Sequence, residues 1–267
     1  MTRFDETTQV RLDRRPDADG VRAAFSADLD ESWSSLVGVH GGYVAALTVR
    51  AAEAMLPERE VRTVSTSFLR PAKVGAAEVI LEVVRAGRSF ATVSARVRQA
   101  GRDVAHTMLT LLNPVGSPGW TTGLIDRPAP PDRCVPFEPP PSIAHFTQAE
   151  FRIDPASIPA SDQRAADARI AGHVRPREAR PIDAAWLTVM GDWFPPSPFR
   201  RLVPPAGGIS IDYTVHIHRT LGTDGDRWLQ GVFTSDNNVA GIALEHGTLA
   251  TADGIAVAET FHTRWTG

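Results

Sequence analysis

The longest apolar stretch of the chain runs from Tyr43 to Leu56, where only Thr48, Arg50 and Glu53 are polar. It is too short to span a bilayer, which needs about 20 apolar residues. Its length and composition are typical of a helix that is buried on most of its circumference. We therefore predict a buried helix in this part of the chain.

Sequence signals mark both ends of this predicted helix. His40-Gly41-Gly42 precedes it, and a glycine pair allows another segment or a ligand to approach the helix start closely. Pro57 ends it, because proline cannot donate the backbone hydrogen bond that a longer helix needs. Four strand-like segments follow, at 61–69, 74–84, 89–99 and 103–112. One helix followed by four closely connected strands predicts an antiparallel sheet that curls around the helix.

The pattern changes after residue 112. Nine of the 21 prolines lie between residues 114 and 141, and proline interrupts both helices and central strands. We therefore predict that 113–141 is a linker on the surface. It would join an N-terminal unit, 1–112, to a C-terminal unit, 142–267.

The pattern of the N-terminal unit recurs in the C-terminal unit. A second apolar segment, 182–194, predicts another helix, which ends at Pro195-Pro196. Four strand-like segments follow it, at 208–219, 227–234, 243–251 and 255–265. In the last strand of each unit, Val104-Ala105-His106-Thr107-Met108 matches Val257-Ala258-Glu259-Thr260-Phe261. This internal repeat predicts an α+β fold with two similar halves.

Composition and charge argue against nucleic-acid binding, secretion and membrane insertion. The chain has 267 residues, a formal net charge of −3 and interspersed charges of both signs, so it lacks the basic stripe of nucleic-acid-binding proteins. Its single cysteine, Cys134, cannot form an intramolecular disulfide, and residues 1–15 lack the apolar segment of a secretion signal. No segment is long and apolar enough to span a membrane. We expect a cytoplasmic protein that binds neither nucleic acid nor membranes.

Metal chemistry has little support in the spacing of the histidines. The eight histidines include no helical pair with metal-ligand spacing. His216 and His218 share one strand face, but packing within a sheet explains that alternation equally well. We therefore expect no metal and no cofactor.

Three segments of the N-terminal unit resemble the acyl-CoA thioesterase II (TesB-like) family in sequence and spacing. They are His40-Gly41-Gly42-Tyr43, Thr66-Ser67-Phe68-Leu69-Arg70-Pro71 and Arg85-Ala86-Gly87-Arg88-Ser89-Phe90. The resemblance covers 30–112 and 182–265. It implies a double hotdog fold, with two helices each wrapped by a curved antiparallel sheet within one chain. It also implies hydrolysis of acyl-CoA to free fatty acid and CoA, a reaction of lipid metabolism.

The resemblance implies a catalytic group in the C-terminal unit. The family has an Asp on the second helix, which falls on Asp192 in the segment from Gly191 to Pro195. Its Thr on the next strand falls on Ser210, and its Gln on the last strand falls on His262. Serine keeps the hydroxyl, whereas histidine adds a group that titrates near neutral pH. Asp183 and Asp212 remain alternatives for the carboxylate.

These residue types suit the activation of a water molecule. A carboxylate can accept a proton from water, a hydroxyl and an imidazole can hold its other hydrogen bonds, and His262 could itself be the base. Backbone N–H groups at a helix start could stabilise the oxyanion, so we expect His40, Gly41 and Gly42 to bind substrate. The third motif adds Arg88 and Ser89 as substrate-binding candidates, and Glu245 and His246 could line the pocket. The chain has no Gly-x-Ser-x-Gly nucleophile motif.

Two functions remain open from the sequence. The first is an acyl-CoA thioesterase. The second is a non-catalytic acyl-CoA-binding or scaffold protein with the same fold, which the histidine at position 262 motivates. A hotdog hydratase is a weaker third hypothesis, because the histidine that should follow Ser235-Asp236-Asn237-Asn238 is missing. Exposed sheet edges also predict a homo-oligomer, a dimer or larger.

Overall fold

The computed structural model describes residues 1–14, 17, 20–114, 119–138, 143–158, 164–202, 208–222 and 228–267. In these ranges the α-helices are α1 (Arg3–Thr7), α2 (Gly41–Met55) and α3 (Ala184–Met190). The strands are β1 (Arg11–Arg14), β2 (Arg22–Leu29), β3 (Ser34–Ser35), β4 (Gly38–Val39), β5 (Glu60–Phe68), β6 (Gly75–Ala86), β7 (Phe90–Gln99), β8 (Arg102–Leu112), β9 (Val135–Pro136), β10 (Ala149–Ile153), β11 (Arg169–Pro176), β12 (Ile209–Ile217), β13 (Leu229–Val239), β14 (Ile242–Ala250) and β15 (Ala256–Trp265).

Most of the strands form one large antiparallel sheet. Its order is β1-β2-β6-β7-β8-β5-β12-β15-β14-β13-β11-β10-β9, and β3 pairs separately with β4. The spatial order β2-β6-β7-β8-β5 in the first half is mirrored by β12-β15-β14-β13-β11 in the second half. In each half a strand precedes a helix, and four further strands follow that helix. The internal repeat predicted from the sequence is therefore present in the topology.

Helix α2 is buried over nearly its whole circumference, as its apolar sequence predicted. From Gly42 to Ala52 only Arg50 is partly exposed. The helix packs against β2, β5, β6, β7 and β8. Complete burial of one leucine such as Leu47 contributes about 1.5–3 kcal/mol relative to an exposed leucine. Helix α2 therefore supplies much of the core of the first half.

Helix α3 is shorter than the sequence predicted, and Asp192 lies beyond its end. The Asp183 side chain caps the helix start by accepting the N–H of Trp186, and the helix ends at Met190. The prediction that Asp192 lies on this helix is wrong: its N–H donates to Val189 O (3.1 Å) in a tight turn after the helix. A side chain at Gly191 would collide with the Tyr213 hydroxyl, so the turn requires glycine there.

The two halves join along β5 and β12 and between the two helices. Thr66 of β5 lies opposite Tyr213 of β12, and Val64 lies opposite Val215. Helices α2 and α3 pack against each other in opposite directions, so the start of α2 meets the end of α3. This arrangement brings one end of the first half's helix to the catalytic candidates of the second half.

Part of the proline-rich region contributes to the sheet. β9 lies within the segment expected to be a linker, and it pairs with β10. β11, which pairs with β10 and β13, has no counterpart among the predicted strands. Gly172 and His173 interrupt the apolar pattern of this strand. Glycine is needed at position 172 because a side chain there would collide with the Arg152 carbonyl.

Helices of the length and hydropathy needed to cross a membrane do not occur in the described ranges.

Candidate active site

The candidate site lies where the start of α2 meets the turn after α3. The Gly42 N–H donates to Asp192 Oδ2 (2.8 Å), and His40 Nε2 lies 2.9 Å from the Asp192 carbonyl oxygen. A Cβ atom on Gly42 would lie 3.0 Å from Asp192 Cβ and 3.1 Å from the Thr188 carbonyl oxygen. The glycine pair therefore permits the close approach between the two halves that the sequence suggested.

His262 of β15 faces the other oxygen of the Asp192 carboxylate. Its Nε2 lies 3.0 Å from Asp192 Oδ1. The oxygen lies off the direction of a ring N–H, so Nε2 does not form a well-directed hydrogen bond there. The imidazole stacks on the Tyr213 ring with centroids 4.3 Å apart. The structure thus brings Asp192 and His262 together, each from a different element.

Arg264 and Glu245 extend this cluster as a buried ion pair. Arg264 Nε donates to Glu245 Oε1 (2.7 Å), and Nη2 of the same guanidinium lies 2.6 Å from that oxygen. Glu245 Oε2 accepts the N–H of Ser197 (2.6 Å) at the start of a short 3-10 helix. Arg264 Nη2 also lies 3.6 Å from Asp192 Oδ1. Both residues are only 3% exposed, so the pair is shielded from water.

Ser210 joins the cluster through Arg264. Arg264 Nη1 donates to Ser210 Oγ (3.1 Å), while Nη2 of the same guanidinium contacts the Asp192 carboxylate. The hydroxyl therefore uses one lone pair on Arg264 and keeps its proton for another acceptor. Asp192, Ser210 and His262, the three residues named from the sequence, all contact one arginine.

His40 holds the start of α2 rather than acting as a charged group. Its Nδ1 accepts the N–H of Tyr43 (3.3 Å), so Nε2 carries the proton that it donates to the Asp192 carbonyl. Burial lowers the pKa of His40, although the nearby Asp192 carboxylate acts in the opposite direction. His145 packs on the His40 ring at 4.4 Å, and burial lowers its pKa to about 3. Both imidazoles are therefore neutral at pH 7.

The two carboxyl groups of the cluster stay ionised despite their burial. Burial alone would raise the pKa of Asp192, but interactions with His40, His262 and Arg264 outweigh it and hold that pKa well below its usual value. Burial also opposes ionisation of Glu245, yet chiefly Arg264 lowers its pKa to about 2. Opposite charge and directed donors are the two causes that can outweigh desolvation in this way.

The structure does not bring Arg88 and Ser89 to this cluster. Asn113, directly after β8, donates to the carbonyl oxygens of both residues, at the end of the sheet where β5 begins. The cluster lies at the other end of β5, where Phe68 packs against the glycine pair. A nine-residue strand separates the two ends, roughly 26 Å at 3.3 Å per residue. Their substrate-binding role stays a prediction that this geometry does not support.

The alternative carboxylates lie outside the cluster. Asp183 lies at the opposite end of the helix pair, where it contacts Arg50 (3.0 Å) and Arg180 (2.7 Å). Asp212 on β12 forms no side-chain hydrogen bond or ion pair with any residue that the structure describes. Within the same residues, no group of three or more His, Cys, Asp or Glu is arranged to hold a metal ion.

Arg264 was not predicted from the sequence, and Glu245 was named only as a residue of the pocket wall. A signal for both was present on β15, where Thr260, His262 and Arg264 occupy successive inward positions and are all polar. Buried polar residues in such a row need partners. Glu245 lies directly opposite His262 in the register of β14 and β15, which only the structure reveals.

Comparisons with known proteins agree with this architecture. A family model described as the acyl-CoA thioesterase N-terminal domain matches residues 29–112, and one described as the acyl-CoA thioesterase C-terminal domain matches 125–265. An uncharacterized protein of Mycobacterium tuberculosis is 27% identical over 201 residues, which are 66% of this chain and 69% of that protein.

Solved structures share the fold at low sequence identity. A conserved protein of unknown function with a hot dog fold from Alicyclobacillus acidocaldarius is 22% identical, with a TM-score of 0.86 over 100% of this chain and 98% of that one. An acyl-CoA thioesterase II of Mycobacterium marinum is 20% identical, with a TM-score of 0.78 over 100% and 97%. The large antiparallel sheet with few helices is therefore a hotdog-type fold.

Proposed function

The chain belongs to the acyl-CoA thioesterase family and is a thioester hydrolase, and from this premise we propose that it hydrolyses acyl-CoA to a free fatty acid and CoA at the Asp192 cluster. The family match confirms the resemblance drawn from the sequence motifs. The observation that carries the proposal is the buried, ionised Asp192 carboxylate. Gly42 holds its Oδ2, so that Oδ1 is left to face His262 and Arg264.

The attacking water would bind beside Asp192 Oδ1. The carboxylate oxygen accepts one of its protons, and the water oxygen can accept the N–H of His262 Nε2, which lies next to Oδ1. The Ser210 hydroxyl, held by Arg264, still has a proton to donate. Three groups would then fix the orientation of the water before it attacks.

The proton would finish on the leaving group. The water oxygen forms the new bond to the thioester carbonyl carbon, the C–S bond breaks, and the water proton ends on the CoA sulfur. Because the pKa of Asp192 is held far below its usual value, the carboxylate does not retain that proton. Asp192 therefore orients and polarises the water and passes its proton on, rather than staying protonated between turnovers.

The start of α2 can stabilise the oxyanion. Gly41 is the first residue of the helix, so its N–H has no acceptor within the helix. Among the described residues, no other group accepts it. The helix dipole also favours negative charge at this end. A donor of this kind typically contributes about 10²–10³ in rate.

A covalent cysteine intermediate is not part of the proposal. Cys134 is buried, its Sγ contacts the Ala129 carbonyl, and burial raises its pKa to about 11. At pH 7 it is therefore a thiol, not the reactive thiolate.

We also propose that each half is one hotdog unit, so that the chain is a double hotdog. The mirrored strand order and the two helices that pack on the sheet support this assignment. We assign residues 1–112 and 142–267 to the two units and 113–141 to their connection. Among the described strands, β1 and β9 have no neighbour on their outer sides, and such edges favour assembly into a homo-oligomer.

The test is CoA release from a panel of acyl-CoAs, from acetyl-CoA to palmitoyl-CoA, by the wild type and by Asp192→Asn. Asparagine keeps the size of the side chain but removes the negative charge. We expect turnover with the wild type on some chain lengths and a fall of at least about 100-fold in the variant.

Asp212→Asn is the matched control, because it removes a carboxylate of β12 that makes no hydrogen bond or ion pair with the described residues of the cluster. It should retain wild-type turnover. Absence of CoA release by the wild type with every acyl-CoA would contradict the proposal, and binding of acyl-CoA without release would support the non-catalytic alternative. Equal activity of the Asp192 variant would move the chemistry to another site.

A further inference from the structure

We infer that Arg264, held in place by Glu245, is a positioning residue that keeps His262 neutral with its proton on Nε2. His262 then offers an N–H donor beside the Asp192 carboxylate and does not act as the base. The consequence for catalysis rests on the proposed function, but the protonation state of the ring can be measured without substrate.

The N–H donors of Arg264 determine which nitrogen of the His262 ring carries the proton. A guanidinium carries only N–H donors and no acceptor. Arg264 Nη2 lies 3.2 Å from His262 Nδ1, within hydrogen-bond distance. Nδ1 must therefore offer its lone pair, which leaves the ring proton on Nε2. Permanent protonation of arginine makes this constraint independent of pH over the working range.

Glu245 is the competing partner for Nδ1, and its geometry is poorer. Glu245 Oε1 lies 3.5 Å from His262 Nδ1, which would require a proton on that nitrogen. The same oxygen already accepts the Arg264 Nε–H at 2.7 Å and lies 2.6 Å from Arg264 Nη2, so two guanidinium nitrogens crowd it. A carboxylate oxygen offers about two lone-pair directions, so a third donor has no favourable approach. Arg264 thus satisfies Glu245 and Nδ1 together.

The charges around the ring are compatible with a neutral imidazole. One cation, Arg264, faces two carboxylates, Asp192 and Glu245, and by charge count alone a protonated ring would balance them. The start of α2 supplies roughly half a positive charge beside Asp192, and the Ser197 N–H binds Glu245. An imidazolium would also place a second positive charge 3.2 Å from the guanidinium.

The other neighbours of the ring add no charge. Tyr213, stacked on the ring, donates its hydroxyl to the Thr188 carbonyl (2.8 Å), and burial raises its pKa well above the usual value. His40, on the far side of Asp192, is neutral by its own hydrogen bonds. The Arg264 contact is therefore the feature that sets which nitrogen is protonated.

The protonated Nε2 of His262 lies beside Asp192 Oδ1, where a water molecule could bind. The His262 side chain is 0% exposed, and Nε2 has no well-directed partner among the described residues although Asp192 Oδ1 is 3.0 Å away. A buried N–H without a partner is costly unless a bound molecule accepts it. A water at Oδ1 would accept this N–H, which is the task of a neutral donor and not of a base.

The first experiment measures directly which nitrogen of the His262 ring is protonated. The protein is labelled with ¹⁵N-histidine, and His262 is assigned from the signals that disappear in His262→Gln. We expect an unprotonated Nδ1 and a protonated Nε2 at pH 6 and pH 8. A protonated Nδ1 at either pH would overturn the inference, whether or not the protein hydrolyses acyl-CoA.

The second experiment asks what the ring does. Glutamine supplies a neutral N–H donor near the position of Nε2 and cannot act as a base. We expect His262→Gln to keep kcat/KM within about tenfold of the wild type with an unchanged pH profile, and His262→Leu to lose about 10²-fold or more. Equal, large losses in both variants would assign the base to His262 and contradict the inference.

The third experiment removes the positioning group. In Arg264→Met, Glu245 loses its cation and becomes free to bind a protonated Nδ1. We expect a protonated Nδ1 in the ¹⁵N spectrum and a new step in the pH profile of kcat, and a spectrum like that of the wild type would contradict the role of Arg264. If this variant fails to fold, Arg264→Gln provides the same comparison, because glutamine has no charge and its carbonyl oxygen can accept from a protonated Nδ1.

Discussion

At the residue scale, the site depends on two carboxylates that stay ionised while nearly removed from water. The Asp192 side chain is 8% exposed and that of Glu245 is 1% exposed. Backbone N–H groups of Gly42 and Ser197 each bind one oxygen, and Arg264 serves both carboxylates. Breaking such a buried pair is more costly than its net contribution to stability, because the remaining charge is left without compensation.

The free energy of unfolding of Glu245→Gln tests how much it costs to break the buried pair of Arg264 and Glu245. The substitution should lower the free energy of unfolding at pH 7 by about 3–5 kcal/mol, because Arg264 is left buried without its partner. The folded-state pKa of Glu245 is lowered to about 2 from its usual 4.5, so its stabilisation is complete above pH 4.5 and is lost as the pH falls toward 2. Urea unfolding at pH 7 and pH 3 should therefore show a smaller difference between wild type and variant at pH 3.

Glu82→Gln is the matched control. Glu82 pairs with Arg22 at 3.1 Å on the surface, where the two side chains are 37% and 64% exposed. This change should alter the free energy of unfolding by no more than about 1 kcal/mol at either pH. A constant difference between wild type and Glu245→Gln at both pH values would contradict the account of the pair.

At the element scale, the start of α2 positions the site. His40 caps the helix through Nδ1, and the Gly42 N–H that the helix leaves unpaired binds Asp192. The absence of a side chain on Gly42 lets the turn after α3 approach to 3.0 Å of where a Cβ would be. The start of α2 thus provides the helix cap, the Gly42 N–H that binds the Asp192 carboxylate, and a Gly41 N–H that no described residue accepts.

Gly42→Ala tests the close approach. The alanine Cβ would lie 3.0 Å from Asp192 Cβ and 3.1 Å from a backbone carbonyl, so Asp192 must shift by a few tenths of an ångström. We expect kcat to fall by about tenfold or more, since small misplacements of reacting groups are costly. Higher helix propensity of alanine offsets part of the loss in stability, by up to about 1 kcal/mol.

Gly119→Ala is the control for this change, because a Cβ there meets no atom within 4 Å. It should leave kcat and the thermal midpoint as in the wild type. Full activity of Gly42→Ala would show that the approach of the two elements does not matter for the chemistry.

The elements differ in how well the sequence predicted them. Helix α2 was predictable because its burial makes every position but a few apolar. The end of α3 was not, because Trp193 and Phe194 continue the apolar pattern although the backbone has already left the helix. Neighbouring aromatic rings bury these two side chains instead. β11 was missed for the opposite reason, since Gly172 and His173 are polar or small for contacts made only in the fold.

The site was predictable in part for similar reasons. The motif positions of Asp192, Ser210 and His262 fall within one cluster, linked by Arg264. Arg264 itself had no motif, and its pairing with Glu245 depends on the register of two strands, which the sequence does not reveal.

At the scale of the whole molecule, the repeat creates two similar helix ends, and among the described residues only one of these ends forms a candidate site. At one end of the helix pair Gly42 meets Asp192. At the other end Asp183 caps α3 and is neutralised by Arg50 and Arg180, so no free carboxylate oxygen faces an unpaired N–H. Each half supplies part of the single site, the first through the start of α2 and the second through Asp192 and β15. A complete site therefore requires both halves within one folded chain.

A single turnover of an acyl-CoA substrate by excess protein in H₂¹⁸O tests whether a water held at Asp192 attacks the thioester. Direct attack by a water held at Asp192 predicts release of CoA, one ¹⁸O atom in the fatty acid and none in the peptide that contains Asp192. Failure to release CoA would contradict the proposed activity. An unlabelled fatty acid together with ¹⁸O in the Asp192 peptide would show that the carboxylate attacks the thioester itself, which would contradict the proposed role of the water.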